Sequence, residues 1–123
     1  MAVKFYLDTS ALVEVAKGND PLRDYIAQDF VINDVTLAEF YSVMLREYDE
    51  QTANYWFKRV GTKSMSVTKE LLVEAVKFRR YNKGKNLSFF DAVGYVYSVK
   101  NNHVFLTGDK DFEGLPGVEF VKK

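Results

Sequence analysis

The sequence has 123 residues, of which 47% are apolar, and its 17 basic and 17 acidic side chains cancel; this predicts one folded domain, residues 1–123, without a global attraction to nucleic acid. The chain contains no Cys and one His, His103, which excludes disulfides, thiolate metal centres and multi-histidine metal sites. Lys4 and Asp8 interrupt the first apolar run, and no apolar segment approaches the roughly 20 residues of a membrane span, so we expect a cytoplasmic protein without a signal peptide.

Predicted strands and helices alternate along the chain. In the first half they are a strand at 3–7, helices at 11–17 and 20–28, a strand at 30–32, and helices at 36–48 and 51–60. In the second half they are a weak strand at 64–67, a helix at 69–82, a helix from Ser88 to about Asn101, and strands at 103–106 and 118–121. Such alternation predicts an α/β fold, a roughly five-stranded parallel sheet with helices on both faces.

Four acidic residues are predicted to meet at one edge of this sheet. Asp8 follows the first strand, Glu39 lies on the helix after the second strand, Asp91 lies in the first turn of a later helix, and Asp109 follows the fourth strand. In an open α/β sheet, the carboxyl ends of strands and the amino ends of helices share one edge, where ligands bind. These acids can therefore be neighbours in space although they are distant in sequence.

Each acid also has a purely structural interpretation. Asp8 could cap a helix, segments 36–39 and 88–91 both fit the capping box, and Asp109 and Asp111 are common turn residues. Taken together, converging carboxylates would repel one another and raise each other's pKa unless a cation neutralised them. An oxygen-only set of ligands without Cys suits Mg²⁺ or Mn²⁺ and does not suit Zn²⁺.

Four short motifs carry a family resemblance. In chain order they are Leu7-Asp8-Thr9-Ser10-Ala11-Leu12, Thr36-Leu37-Ala38-Glu39, Asp91-Ala92-Val93 and Leu106-Thr107-Gly108-Asp109-Lys110-Asp111-Phe112. With these motifs the chain resembles PIN-domain ribonucleases, and most of all the small single-domain VapC toxins of toxin–antitoxin systems. The resemblance covers essentially the whole chain. The sequence departs from the family at Gly94-Tyr95, where relatives commonly have small alkyl residues, and this bears on local packing.

The resemblance implies a metal-dependent endoribonuclease. It assigns the metal-binding and catalytic acids of the family to Asp8, Glu39, Asp91 and Asp109, with Asp111 as an alternative for the fourth. It implies a single-stranded or looped RNA substrate, whose cleavage leaves a 5′-phosphate and a 3′-hydroxyl.

The resemblance also implies how the site would work. One divalent ion, Mg²⁺ or Mn²⁺, would be held by Asp8 and Asp91, with Glu39 as a further candidate, and would activate a water for in-line attack. Asp109 would help to hold a second ion or its waters. Ser10 and Thr107, the small hydroxyls near the first and fourth acids, would orient a carboxylate or a water.

The densest basic run, residues 77–85, is the candidate for substrate binding. Its proposed phosphate contacts are Arg79, Arg80, Lys83 and Lys85, with an aromatic side chain stacking on a base. The alternative is an ordinary solvated helix face with Tyr81 packed inward. The helical spacing likewise places Leu72, Val73 and Val76 inward.

A row of aromatic side chains is expected to lie partly in the core and partly on the surface. Its members are Phe40, Tyr41, Tyr48, Tyr55, Trp56 and Phe57. Most are expected in the core between two helices, with Tyr41 or Phe57 lining a groove. The resemblance implies a homodimer, and an antitoxin whose helix lies along such a groove near the acids, with an arginine that reaches the carboxylates.

Three other functions fit parts of the pattern. A PIN nuclease that acts in RNA processing or decay would share every residue quoted above but have no neighbouring antitoxin gene. A phosphotransfer protein also gathers acids at a sheet edge, but Asp8 has neither an adjacent acid nor an Asp-x-Asp arrangement. A catalytically silent RNA- or protein-binding module would have no reason to keep like charges in one cleft.

Overall fold

A five-stranded parallel sheet forms the centre of the computed structural model, which describes residues 4–18 and 29–122. The strands are β1 (Phe5–Leu7), β2 (Phe30–Asn33), β3 (Ser64–Met65), β4 (Val104–Thr107) and β5 (Val118–Phe120). The α-helices in the described residues are α1 (Thr9–Ala16), α2 (Asp34–Glu47), α3 (Glu50–Gly61), α4 (Lys69–Tyr81) and α5 (Phe89–Lys100), and a 3₁₀ turn spans Lys110–Phe112. The predicted α/β architecture is confirmed. The helix predicted at 20–28 lies outside the described residues, and no described helix is long and apolar enough to cross a membrane.

The strand order, β3-β2-β1-β4-β5, reverses at β1. β1 pairs in parallel with β2 on one side and with β4 on the other, in a register that sets Leu7 opposite Leu106. At such a reversal the two neighbouring connections leave in opposite directions, which opens a crevice beyond the carboxyl ends of the two strands. Asp8 and Thr107, the next residues along β1 and β4, therefore lie side by side at this crevice.

β1 is covered on both faces and is tied to α2 by a buried hydroxyl. Tyr6 and Leu7 point to opposite faces of the sheet, and neither is exposed to solvent. The Tyr6 hydroxyl lies 2.6 Å from Thr36 Oγ1 and accepts a hydrogen bond from the backbone N–H of Asn33. Burial raises the pKa of Tyr6, so the hydroxyl keeps its proton and this link persists across the physiological range.

Helix α2 begins earlier than the sequence predicted. Its N-cap is Asn33, whose Oδ1 accepts hydrogen bonds from the backbone N–H groups of Val35 and Thr36. The predicted start at Thr36, and with it a capping box between Thr36 and Glu39, is wrong. Because a buried Asn side chain already satisfies the free N–H groups of this helix, Glu39 is not needed as a cap and remains available to the sheet edge.

Other element boundaries differ for similar local reasons. α1 begins at Thr9 instead of residue 11, because Asp8 caps it. β3 is limited to two residues, and β4 extends through Thr107.

The inward face of α4 also differs from the prediction. Leu71 and Ala75 are buried, one helical turn apart, and this stripe continues to Phe78, whose ring lies 5.0 Å from that of Tyr95 on α5. Because this stripe packs against α5, the residues predicted to lie inward are turned outward. Val73 and Val76 are exposed, and Tyr81 is 83% exposed, whereas Leu72 is half-buried.

A cluster of buried rings supports the turn after β4. The Phe105 and Phe112 rings are 4.8 Å apart, and Tyr95 lies 5.5 Å from both. The Tyr95 hydroxyl donates a hydrogen bond to the Pro116 carbonyl at 2.6 Å. Since Phe112 follows Asp111 directly, this packing fixes the turn that contains Asp109 and Asp111, called the acidic turn below, against the sheet. Tyr95, at the position where the sequence departs from its relatives, thus has a packing role.

Gly94 is a test of this packing. A Cβ at position 94 would lie 3.2 Å from Tyr6 Cε1 and 3.3 Å from Thr36 Oγ1. Because Tyr6 is fully buried and its hydroxyl is held, the ring has little freedom to move aside. We expect Gly94→Ala to lower the free energy of unfolding by about 1 kcal/mol, because overpacking outweighs the gain in helix propensity. Thermal denaturation measures this loss. Gly84→Ala is the matched control, since no atom lies within 4 Å of its Cβ position; an equal loss in both variants would contradict the packing explanation.

Candidate active site

Asp8 lies at the crevice between β1 and β4, and both of its carboxylate oxygens accept hydrogen bonds. Oδ1 accepts from Ser10 Oγ at 2.7 Å and from the backbone N–H of Ala11 at 3.0 Å. Oδ2 accepts from Thr107 Oγ1 at 2.6 Å. The sequence predicted a helix cap and a site acid as alternatives. The structure shows the cap, and the same bonds hold the carboxylate at the sheet edge.

These hydrogen bonds only partly offset the energetic cost of burying the Asp8 carboxylate. The side chain is 4% exposed. Loss of hydration raises the pKa of Asp8 to about 6, although the hydrogen bonds from Thr107 and Ser10 act to lower it, and the charge of Asp91 raises it further. A carboxylate held in this way is destabilised at neutral pH and gains from a nearby cation.

Glu39 projects from α2 toward the same edge. Its Oε1 accepts a hydrogen bond from Thr9 Oγ1, in the first turn of α1. Burial raises the pKa of Glu39, the bond from Thr9 lowers it, and the charge of Asp91 raises it. No local sequence pattern indicates this role for Thr9, because the contact joins residues 30 positions apart and depends on how α1 packs against α2.

Asp91 is held by the amino terminus of α5. Its Oδ2 accepts a hydrogen bond from the Ser88 backbone N–H, and its own N–H donates to Ser88 Oγ, each at 3.0 Å. The predicted capping box is therefore present. Burial raises the pKa of Asp91, the Ser88 bonds lower it, and the charges of Asp109 and Asp111 raise it.

The acidic turn after β4 is braced against α1. Thr107 Oγ1 accepts from the Asp109 backbone N–H at 3.0 Å, and the Gly108 N–H donates to Ser10 Oγ at 3.2 Å. Asp109 Oδ1 in turn accepts from the Asp111 N–H at 2.9 Å and caps the 3₁₀ turn. The two hydroxyls predicted to orient site groups thus each hold both Asp8 and this turn.

Asp91 is the electrostatic centre of the acids. Its charge raises the pKa of Asp8 and of Glu39, and the charges of Asp109 and Asp111 raise its own pKa. Asp91 thus interacts electrostatically with Asp8 and Glu39 and with both acids of the turn, Asp109 and Asp111.

The donor set fits a hard divalent cation. In residues 4–18 and 29–122, no three His, Asp or Glu side chains are already grouped as ligands of one ion. Mg²⁺ does not require such a group, because it usually keeps several waters and binds through one or two carboxylates together with substrate phosphates. Each of Asp8, Glu39 and Asp91 offers carboxylate oxygens, and partial burial strengthens their attraction to a cation.

The four predicted RNA-binding cations lie apart from the acids. Arg79, Arg80, Lys83 and Lys85 line a separate pocket between the end of α4 and the start of α5.

The raised pKa of Asp8 gives a prediction for stability in the absence of metal. An acid whose pKa rises from 3.8 to about 6 on folding favours the folded state when protonated, so its contribution is full below its unfolded pKa and is lost as the pH rises through about 6. We expect the free energy of unfolding in chelator to fall between about pH 4 and pH 6.5, the range bounded by the unfolded and folded pKa values of Asp8. Asp8→Asn should flatten this fall and be more stable at pH 7.5, by up to roughly 3 kcal/mol.

Chemical denaturation at several pH values measures both effects. Asn can keep the cap of α1, since it is as good an N-cap as Asp. The control is Asp49→Asn, at an exposed cap whose Oδ1 accepts from the Thr52 N–H, which should leave the pH dependence of stability nearly unchanged. A wild-type profile retained by Asp8→Asn would contradict the assignment.

Comparison with known proteins places this geometry in a family. Residues 5–118 match the PIN domain family, and no curated protein sequence matches the chain. Among solved structures, a toxin–antitoxin complex from Klebsiella pneumoniae is similar, at 20% identity over 99% of this chain and 100% of that one, with a TM-score of 0.76. VapC20 from Mycobacterium tuberculosis, a sarcin–ricin-loop-cleaving toxin, shares 19% identity over 97% of this chain and 98% of its own, with a TM-score of 0.77.

DNA-bound VapBC from Salmonella typhimurium is similar as well, at 18% identity over 98% of both chains, with a TM-score of 0.75. PIN domains generally use divalent metal ions, and the VapC nucleases among them are ribonucleases. At these identities the solved structures establish a shared fold, and the family match covers nearly the whole chain. This chain belongs to the PIN domain family.

Proposed function

We propose that this protein is a divalent-metal-dependent endoribonuclease of the VapC type, the toxin of a toxin–antitoxin pair. The observation that carries the proposal is the buried Asp8 carboxylate, held by Ser10 and Thr107 and electrostatically linked to Asp91. A protein that needed Asp8 only as a helix cap would not require further acids beside it. The similarity to a toxin that cleaves the sarcin–ricin loop supports RNA as the substrate.

Asp8, Glu39 and Asp91 are the residues that would hold Mg²⁺ or Mn²⁺, and Asp109, with Asp111 as the alternative, would contribute from the turn. When bound there, the ion would supply an activated water and neutralise charge that develops on the phosphate. Hydrolysis forms a bond from the water oxygen to phosphorus and breaks the bond to the 3′ oxygen, which leaves a 5′-phosphate and a 3′-hydroxyl.

The hydroxyl groups of the site position the acids. Ser10 and Thr107 fix the two oxygens of Asp8, so its carboxylate cannot rotate. Thr9 fixes Glu39 on the facing side. Groups held in place before the substrate arrives do not have to reorganise during the reaction.

Cleavage of a mixed single-stranded RNA pool tests the proposal. We expect cleavage with Mg²⁺ or Mn²⁺, none in chelator, and products with 5′-phosphate ends. Asp8→Asn and Asp91→Asn should each lower the rate on the order of 100-fold or more, because each removes a charge that would hold the ion. Asp109→Asn should lose less than either, and more than Asp111→Asn. The exposed cap variant Asp49→Asn should cleave like the wild type.

Binding of the ion is measured separately by thermal denaturation. Mg²⁺ or Mn²⁺ should raise the melting temperature of the wild type, since a ligand bound only by the folded state stabilises it, and Asp8→Asn should lose this gain. Cleavage that persists in chelator or leaves cyclic phosphate ends would contradict the mechanism. Absence of both cleavage and metal binding would favour the silent module, and labelling by acetyl phosphate would favour the phosphotransfer protein.

The antitoxin part of the proposal is supported by an apolar groove on α2 and α3. The groove has a volume of about 450 Å³ and is lined by Ala38, Tyr41, Asn54 and Phe57. The Tyr41 hydroxyl donates to Asn54 Oδ1 at 2.7 Å, and the rings of Tyr41 and Phe57 meet edge to face at 5.8 Å. The groove and Glu39 are both on α2, since Ala38, which lines the groove, directly precedes Glu39. The sequence predicted that Tyr41 or Phe57 would line a groove, and both do. A homodimer remains part of the proposal.

Phe57 gives a test of the groove. Phe57→Ala should abolish co-purification with an antitoxin encoded by an adjacent small gene, because it removes a wall of the groove. Tyr55→Ala is the matched control, since Tyr55 is 53% exposed against 45% for Phe57 but does not line the groove. Loss of binding in both variants, or in neither, would contradict this docking site. Absence of an adjacent antitoxin gene would instead favour a nuclease of RNA processing or decay.

A further inference from the structure

A basic pocket lies where α4 ends and the chain turns into α5. It has a volume of about 430 Å³ and is open to solvent. Its lining residues are Val76, Arg79, Arg80, Lys83, Lys85, Asn86 and Leu87. The pocket is therefore formed from one continuous stretch of chain, most of it on the turn between the two helices.

Four cations and no acid line this pocket. Within the described part of the chain, Arg79, Arg80, Lys83 and Lys85 form no ion pair with a carboxylate. By contrast, Lys63 and Lys100 elsewhere on the surface are paired with Asp29 and Glu74. Since the whole chain has no net charge, this local excess of positive charge is available to an anion from outside. Phosphate groups attract such clusters of Lys and Arg.

The turn that carries these cations is ordered by hydrogen bonds of its own. Arg79 Nε donates to the Leu87 carbonyl at 3.0 Å, which bridges the two sides of the pocket. Asn82 Nδ2 donates to the Phe78 carbonyl at 2.9 Å, and the Lys85 N–H donates to the Asn82 carbonyl at 2.9 Å. Arg79 thus keeps its terminal nitrogens for a ligand while its Nε fixes the turn.

The pocket lies on the segment that leads into the helix of Asp91. Leu87, its buried wall, directly precedes Ser88, whose N–H donates to the carboxylate of Asp91. Phosphate contacts made by this segment would hold RNA on the part of the chain that immediately precedes one of the proposed site acids.

Tyr81 supplies an aromatic face beside these cations. It is 83% exposed, and in the described residues its ring packs against no other ring. The sequence left open a solvated helix face with Tyr81 packed inward, and the inward packing of Tyr81 is wrong. An exposed Tyr within a basic run is the arrangement by which proteins stack on unpaired bases while they hold the backbone.

We propose that this pocket is the phosphate-binding subsite for a single-stranded RNA, and that Tyr81 stacks on one of its unpaired bases. The inference rests on the proposed function, because it assigns the direction from which the substrate reaches the acids. It adds the surface that would hold the RNA, and it requires an unpaired strand there, since bases inside a duplex present no free face to Tyr81.

The test uses charge removal in a background that leaves the RNA intact. In Asp8→Asn protein with Mg²⁺, binding of a fluorescein-labelled 12-nucleotide single-stranded RNA is followed by anisotropy at several salt concentrations. The triple variant Arg80→Gln, Lys83→Gln, Lys85→Gln should bind roughly tenfold or more weakly, and the slope of log affinity against log salt should fall by about 2, at about 0.7 for each lost contact. Arg79 is left intact because it holds the turn.

The matched control removes one Arg and two Lys elsewhere, as Arg46→Gln, Lys58→Gln, Lys69→Gln. It should keep the affinity and salt slope of the Asp8→Asn parent. If the two triple variants bind alike, the subsite is wrong even when the wild type still cleaves RNA. If the Asp8→Asn parent itself cuts the probe, the proposed active site is wrong instead.

Tyr81 is tested in the same background. Tyr81→Ala should weaken single-strand binding roughly fivefold or more without changing the salt slope, whereas Tyr81→Phe should keep it, because stacking needs the ring and not the hydroxyl. A duplex of the same sequence should be insensitive to Tyr81→Ala. Equal affinity of the Ala and Phe variants, or equal sensitivity of duplex and single strand, would overturn the stacking role.

Discussion

The hydrogen bond between Thr107 Oγ1 and Asp8 Oδ2 joins residues 99 positions apart, and the site depends on it. The bond exists because β1 and β4 pair in parallel, with Leu7 opposite Leu106, so the next residue along each segment, Asp8 and Thr107, lies beside the other. A shift of one residue in this register would turn each side chain to the other face of the sheet. The register of the strands thus sets the position of the Asp8 carboxylate, and Thr107 also holds the acidic turn through the N–H of Asp109.

The structural and functional interpretations of the acids turn out to be compatible. Asp8 caps α1, and Asp91 completes the capping box of α5. Helix amino termini present free N–H groups and a positive dipole end, which offset the cost of burying a carboxylate. The offset is incomplete, since burial still raises the pKa of Asp8, Glu39 and Asp91. This residual cost is what a bound cation would remove, so stability and metal affinity are linked at one set of residues.

Although the chain has no net charge, its acidic and basic side chains are concentrated in different regions of the surface. The acids gather beyond β1 and β4, and the unpaired cations gather at the turn between α4 and α5, with Leu87 and Ser88 between them. The apolar groove of Tyr41 and Phe57 lies on α2 and α3, and α2 also carries Glu39. The two proposed partners, an RNA strand and an antitoxin helix, would therefore bind surfaces formed by different helices.

The sequence by itself predicted the parallel sheet and the order of the elements that the structure describes, because strand and helix periods, turn residues and capping signals are local properties of the chain. It predicted the Ser88–Asp91 capping box, since both partners lie within one turn. The predicted start of α2 was wrong. Asn33 follows an apolar strand sequence, and its role as a buried N-cap depends on its hydrogen bonds with Tyr6 and Thr36.

Only the tertiary structure decided which contacts join distant segments. The hydrogen bond from Thr9 to Glu39 follows from how α1 and α2 pack. Tyr81 points outward because α4 packs against α5 through another face, formed by Leu71, Ala75 and Phe78. Helical spacing allowed either face of α4 to be buried, because it contains apolar residues on both. Which face of α4 is buried depends on the surface of α5 against which it packs, and a local sequence pattern does not specify that surface.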